Sequence, residues 1–188
     1  MTELIHEEIK HENILEFWFA EATKKRWFNA TDEFDQSIRL QFNTIWEQAS
    51  QGNFDHWLKT PHSALALVIV LDQFPLNMFR GTAKSFSTET DAINASRTAI
   101  SLGHDKNLSS MQLPFLYLPF MHSENLEDQN QSVKLFTQAG LENNLRFAKH
   151  HRRIIKEFGR FPHRNKILNR PSTKAELAYL ASPQAFTG

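Results

Sequence analysis

"TPHSALALVIVLDQFP", residues 60–75, is the stretch whose reading decides the fold. Thr60 reads as an N-cap, with Pro61 in the first helical position, where a missing N–H costs nothing and the fixed φ already suits a helix. The run "ALALVIVL" (64–71) is apolar on every side. A helix of that kind must be covered on several sides, so the stretch predicts a central buried helix from Pro61 to about Phe74, stopped by Pro75. The run is far shorter than the roughly 20 apolar residues of a bilayer span, which makes it a core segment.

On either side the spacing of apolar residues is helical, and period-2 alternation is scarce, so the fold class is all-α. An opening helix over about 7–20 carries Ile9, Ile14, Leu15, Phe17 and Trp18. A second begins at Thr31 as N-cap, puts Asp32 and Glu33 in the positive first turn, lines up Phe34, Ile38, Phe42, Ile45, Trp46 and Ala49, and stops at Gly52. A further helix starts near Ser87 or Thr88 and ends at Gly103. "SSMQLPFLYLPFMHSEN" (109–125) reads as helix interrupted or bent near Pro114 and Pro119, and "LEDQNQSVKLFTQA" continues as another. A long helix runs from about Leu141 to Phe158 with Gly159 as its C-cap, and Thr173 with Glu176 has capping-box spacing for a short last helix.

The 188 residues suit one domain, 1–188, with a core of its own; no linker, low-complexity tract or clear internal repeat divides them. Sixteen phenylalanines and four tryptophans supply that core. Lysine plus arginine number 21 and aspartate plus glutamate 21, with a pI of about 7.1. No global field therefore draws the protein to nucleic acid or to a membrane surface, and any anion site is local. The absence of cysteine excludes disulfides, thiolate nucleophiles, iron–sulfur clusters and Cys-based zinc sites. "MTELIHEEIKHENIL" lacks the basic start and apolar run of a secretory signal, so the cytoplasm is the expected compartment.

Four polar clusters lie against apolar segments: "LDQFPLNMFR" (71–80), "FMHSENLEDQ" (120–129), "AKHHRRII" (148–155) and "FGRFPHRN" (158–165). Asp72 falls at the negative end of the buried helix and needs a cation or several donors, for which Arg80 and Arg164 are the natural partners. His122 and Glu124 are two residues apart, about 200° around an ideal helix, so only a break would bring them together. His150 and His151 are adjacent rather than four apart and His-Glu-x-x-His is absent, so no metal is expected. No G-x-S-x-G elbow, P-loop or G-x-G-x-x-G occurs, and no cofactor is expected. In "FGRFPHRN", Arg160, His163 and Arg164 follow a helix C-terminus, whose carbonyls explain some positive charge but not two arginine forks suited to carboxylate or phosphate. Either these forks meet a ligand, with Asn165 adding an amide, or carboxylates such as Asp72 and Glu124 already fill them.

Taken together, "ILEFWF" (14–19), "RWF" (26–28), "FD" (34–35), "LALVIVLDQFPLNMFRGT" (65–82), "FLYLPFMHSENLEDQ" (115–129), "FGRFPHRNKILNR" (158–170), "ST" and a final "LAYL" resemble the DUF924 proteins of unknown function. This chain departs from that pattern in having Leu76 for arginine, Asn169 for glycine and "STE" (87–89) for "ATD". The resemblance implies a tetratricopeptide-like stack of antiparallel helices and no particular activity. Its motifs include Asp72, Gln73, Asn77, Arg80, His122, Glu124, Arg160, His163, Arg164 and Asn165. Two functions are expected of such residues. One is a binding module whose polar pocket takes a small anionic ligand or a protein or peptide partner through Arg80, Arg160, Arg164, Asn165, Asn77 and Gln73. The other is a small cofactor-independent enzyme with His122, Glu124, His163 and Asp72 in acid–base roles.

Overall fold

The structure is a computed structural model that describes residues 10–27 and 29–187. Among the described residues it holds nine α-helices and four short 3₁₀ turns, with no strand. The helices are α1 (His11–Phe19), α2 (Glu21–Lys24), α3 (Asp32–Ala49), α4 (Pro61–Met78), α5 (Glu89–Ser101), α6 (Leu113–His122), α7 (Leu126–Gln138), α8 (Glu142–Phe158) and α9 (Lys174–Leu180). The chain is thus all-α, as its periodicity predicts. Residues 7–9 of the expected opening helix, Ile9 included, lie outside the described residues, and the short α2 is an element the apolar spacing does not announce.

Capping explains several boundaries. Thr31 and Thr60 each accept the N–H three residues on, at 3.4 Å, and Asn125 takes those of Glu127 and Asp128. Thr173 and Glu176 form the reciprocal capping box expected of them. Gly159 ends α8 at φ +70°, in the left-handed region that favours glycine.

Helix α4 is the hub. Residues 63–75 are all buried, and α1, α3, α5 and α6 pack around them. The aromatic part of this core joins Phe17, Trp18, Phe42 and Phe74, with ring centroids of Phe42 and Phe74 4.7 Å apart. From α6 the chain proceeds to α7 and α8, each packed on its predecessor, and a smaller cluster of Ile154, Ile155 and Phe161 lies under Phe158, Tyr179 and Phe186.

Contrary to expectation, neither Pro75 nor Pro119 interrupts its helix, and for Pro75 the physical reason is visible. Helix α4 does not stop at Pro75 but continues to Met78, and α6 continues through Pro119 to His122. Proline removes the hydrogen bond to the carbonyl four residues back, and in α4 that carbonyl, of Leu71, instead accepts the Thr88 hydroxyl at 2.6 Å. The same hydroxyl accepts from Trp46 Nε1 at 3.2 Å. Burial of all three groups makes the substitute bond worth keeping, and the extra turn keeps Asp72, Gln73 and Asn77 on one helix.

Candidate functional site

Asp72 is buried within α4, its side chain 3 % exposed, and neither Arg80 nor Arg164 is its partner. Its Oδ1 faces His122 Nδ1 at 2.8 Å and its Oδ2 accepts from the Gln73 amide. The expected pairing with arginine is corrected because Pro75 and Pro119 do not end their helices. Asp72 therefore stays in the helix interior, and His122, the last residue of α6, reaches it. Since a carboxylate accepts, His122 carries its proton on Nδ1, which turns Nε2 away from Asp72. The ring is 20 % exposed, and no hydrogen bond from a described residue reaches Nε2.

The helix break falls between His122 and Glu124, so the two side chains part. Glu124 accepts the Phe161 N–H at 2.7 Å and both terminal nitrogens of Arg170, at 2.6 and 2.9 Å. Burial pushes its carboxyl up, but the bonds from Arg170 and from the Phe161 N–H outweigh that and hold it below the usual glutamate value.

Arg164 answers the question posed by "FGRFPHRN". Its guanidinium is 7 % exposed, donates to Glu89 at 2.7 Å and to the His122 carbonyl at 2.8 Å, and lies over the rings of Phe86 and Phe161 at 4.3 and 4.7 Å. Together with Gln129, whose amide donates to the Met121 and Ser123 carbonyls at 2.7 and 2.8 Å, it satisfies the C-terminal carbonyls of α6 and places a cation at the negative end of that helix. Burial pushes the Glu89 carboxyl up, with Arg164 pulling it the other way.

The other forks are likewise closed by carboxylates. Arg80 takes Asp35 at 2.6 and 3.2 Å and the Asn77 side-chain oxygen at 2.9 Å, while Asn77 donates to the Gln73 carbonyl at 2.8 Å. Arg160 takes Glu176 at 2.6 and 2.9 Å, an interaction that holds that carboxyl down at about 2. Asn165 is buried between Arg170 and Ser172, each at 3.1 Å. His163 sits against Phe161 and Phe186, and among the described residues it makes no hydrogen bond to His122 or Glu124. Most of the predicted residues therefore gather in two groups, Asp72, Gln73 and His122 with Arg164 behind them, and Glu124, Arg160 and Asn165 with Arg170 around the 158–172 loop, while Arg80 and Asn77 join Asp35 and His163 packs against Phe186.

Sequence reasoning passes over Asp35, Glu89, Arg170 and Glu176 as partners. Glu89 and Glu176 are legible as helix first-turn and capping residues, and that role hides their second one. Among the described residues no group of three or more His, Asp or Glu side chains is placed to hold a metal ion. Two open clefts lie elsewhere. One of about 560 Å³ is lined by Asp35, Gln36, Arg39, Leu40, Asn43 and Met78, and one of about 430 Å³ by α1 residues with Thr60 and His62.

This arrangement defines an all-helical protein with one buried carboxylate–imidazole pair and a loop of paired arginines. The profile of the DUF924 family, bacterial proteins of unknown function, matches residues 14–184, and the chain belongs to that family. Among solved structures it is similar to the protein of unknown function ATU0120 from Agrobacterium tumefaciens, at 38 % identity and a TM-score of 0.87, over 91 % of this chain and 96 % of that one. No curated protein matches it. Among the described residues no helix is long and apolar enough to cross a membrane.

Proposed function

We propose that this protein is a cytoplasmic helical binding module in which His122, anchored by Asp72, contacts a small anionic ligand or the acidic group of a peptide. The observation that carries the reading is the orientation of one imidazole. A buried carboxylate fixes Nδ1 at 2.8 Å, and Nε2 is left facing outward without a partner among the described residues. Such an imidazole is held in one tautomer and one rotamer, so binding to it costs little ordering entropy. In its imidazolium form it offers Nε2–H to an oxyanion. Arg80, Arg160 and Arg164, first candidates for that contact, each already hold a carboxylate, and an added anion would have to displace it. In this proposal they and Asn165 keep the frame, Asn77 and Gln73 steady the α4 end, and His122 meets the ligand. The balanced net charge supports a ligand other than nucleic acid.

The same pair supports a second reading, acid–base catalysis, because a carboxylate-oriented imidazole is the arrangement a general base requires. The binding reading is tested by following the His122 side-chain nitrogens by NMR while acetate, inorganic phosphate and an acidic peptide are added in turn. The binding reading predicts a saturable shift of Nε2 with one of them, lost in His122→Gln and weakened in Asp72→Asn. No shift with any of the three, at a pH where the imidazole is protonated, contradicts it.

A further inference from the structure

The segment after α9 turns back onto the protein through a single aromatic ring. The Phe186 centroid lies 4.3 Å from that of His151, 5.0 Å from His163, 6.4 Å from Phe161 and 6.5 Å from His150. Hydrogen bonds hold the segment to α9: the Phe186 N–H donates to the Tyr179 hydroxyl at 2.8 Å, that hydroxyl donates to the Gln184 carbonyl at 3.4 Å, and the Ser182 N–H donates to the Tyr179 carbonyl at 2.9 Å. Beneath the ring, His151 is buried on α8 with its Nδ1 bonded to the Phe147 carbonyl at 2.8 Å, and the Nδ1 of His163 is buried without a partner among the described residues.

We propose that residues 182–187 are a latch on their own chain, with Phe186 seated on His151, Phe161 and His163, and that protonation of the two histidines releases it. Nothing in this depends on what His122 binds.

The argument is one of solvation. A proton on either imidazole needs water or a carboxylate, and the seat supplies neither. Among the described residues the charges that act on His151 are the imidazoles of His122, His150 and His163, and none is a carboxylate. His163 is faced by Arg164 and Arg170, which oppose a proton, and by Glu124, which favours one but is engaged by Arg170. Burial accordingly pushes His151 down to about 3 and His163 to about 4. Phe186 packs against both rings, so lifting it is the smallest movement that lets water in. Once hydrated, the imidazoles regain their ordinary affinity for protons, and acid shifts the equilibrium toward the open form. At pH 5 each histidine so released multiplies the opening constant by up to about thirty-fold. Release also brings His163, a proton carrier on sequence grounds, to solvent.

The test is amide hydrogen exchange on the full chain, read by NMR from pH 7.5 to pH 5 and expressed as protection relative to the unstructured rate. The latch predicts that protection of the Phe186 amide falls by about thirty-fold or more, the share of at least one histidine, and stays well below that of the α3 and α4 amides at every pH, because the segment opens without the core. In His163→Gln the fall shrinks, because one of the two protons no longer counts. Constant protection at Phe186 down to pH 5, or protection equal to that of the α4 amides, overturns the proposal. So does a fall that His163→Gln leaves unchanged; if that variant does not fold, the parent's profile decides alone.

Discussion

Glu124 shows what a single residue does here. One carboxylate closes the Arg170 fork and takes the N–H of Phe161, so it ties the loop after α6 to the loop after α8. Its side chain is only a quarter exposed, and hydrogen bonds to a charged group are stronger than neutral ones. Glu124→Gln keeps the shape, loses the charge and leaves Arg170 partly unpaired. A loss of about 2 kcal/mol in chemical denaturation is expected. The Arg80–Asp35 pair has similar distances, but Arg80 is half exposed. Solvent screens it, and Arg80→Ala should shift stability by less than about 1 kcal/mol in the same measurement. Asn169 is a different case. Its φ of +53° is left-handed, and asparagine is among the few residues other than glycine that adopt that conformation readily.

At the scale of elements, the Thr88 hydroxyl decides where α4 ends. It supplies the donor that Pro75 lacks and the acceptor that Trp46 needs, with all of these groups buried. Thr88→Val, nearly equal in volume, should cost on the order of 1–3 kcal/mol by leaving both groups unpaired, measured from the urea midpoint with unchanged slope. The same bond marks the limit of sequence reading. The positions of α3, α5, α7, α8 and α9 follow from caps and apolar spacing because those signals are local. The passage of α4 through Pro75 rests on a threonine 17 residues beyond Leu71, and no local pattern reports it. The site was misread for the same reason: a helix ended at Phe74 puts Asp72 at its terminus, in reach of arginine, whereas a helix continued to Met78 buries it opposite His122. The arginine partners Glu89 and Glu176 are hidden because a first-turn acidic position and a capping box already account for them.

At the scale of the whole molecule, α4 organises the core while ion pairs fasten the 158–170 loop to three other helix ends. The acid response follows from the groups the fold perturbs. His151 and His163 bind protons less readily folded than at their ordinary value of 6.5. Their neutral forms therefore contribute fully above pH 6.5, and that contribution is lost as the pH falls toward about 4 and about 3. The urea midpoint should drop between pH 7 and pH 5. Glu176, held at about 2 by Arg160, adds a contribution that is present above its ordinary 4.5 and fades as the pH falls from there toward about 2, so the decline continues.

In the proposed function the arginines of this loop hold the protein together and leave His122 to meet a ligand. Arg164 joins α5, the end of α6 and the 158–165 loop through one buried guanidinium. The most direct test is the denaturant midpoint of Arg164→Ala against the parent at neutral pH, with the slope checked for two-state behaviour. The account predicts a loss on the order of 3 kcal/mol, because Glu89 and the α6 carbonyls lose their partner. An unchanged or raised midpoint contradicts it, and would mean that the charge is held at a cost to stability for a ligand of its own.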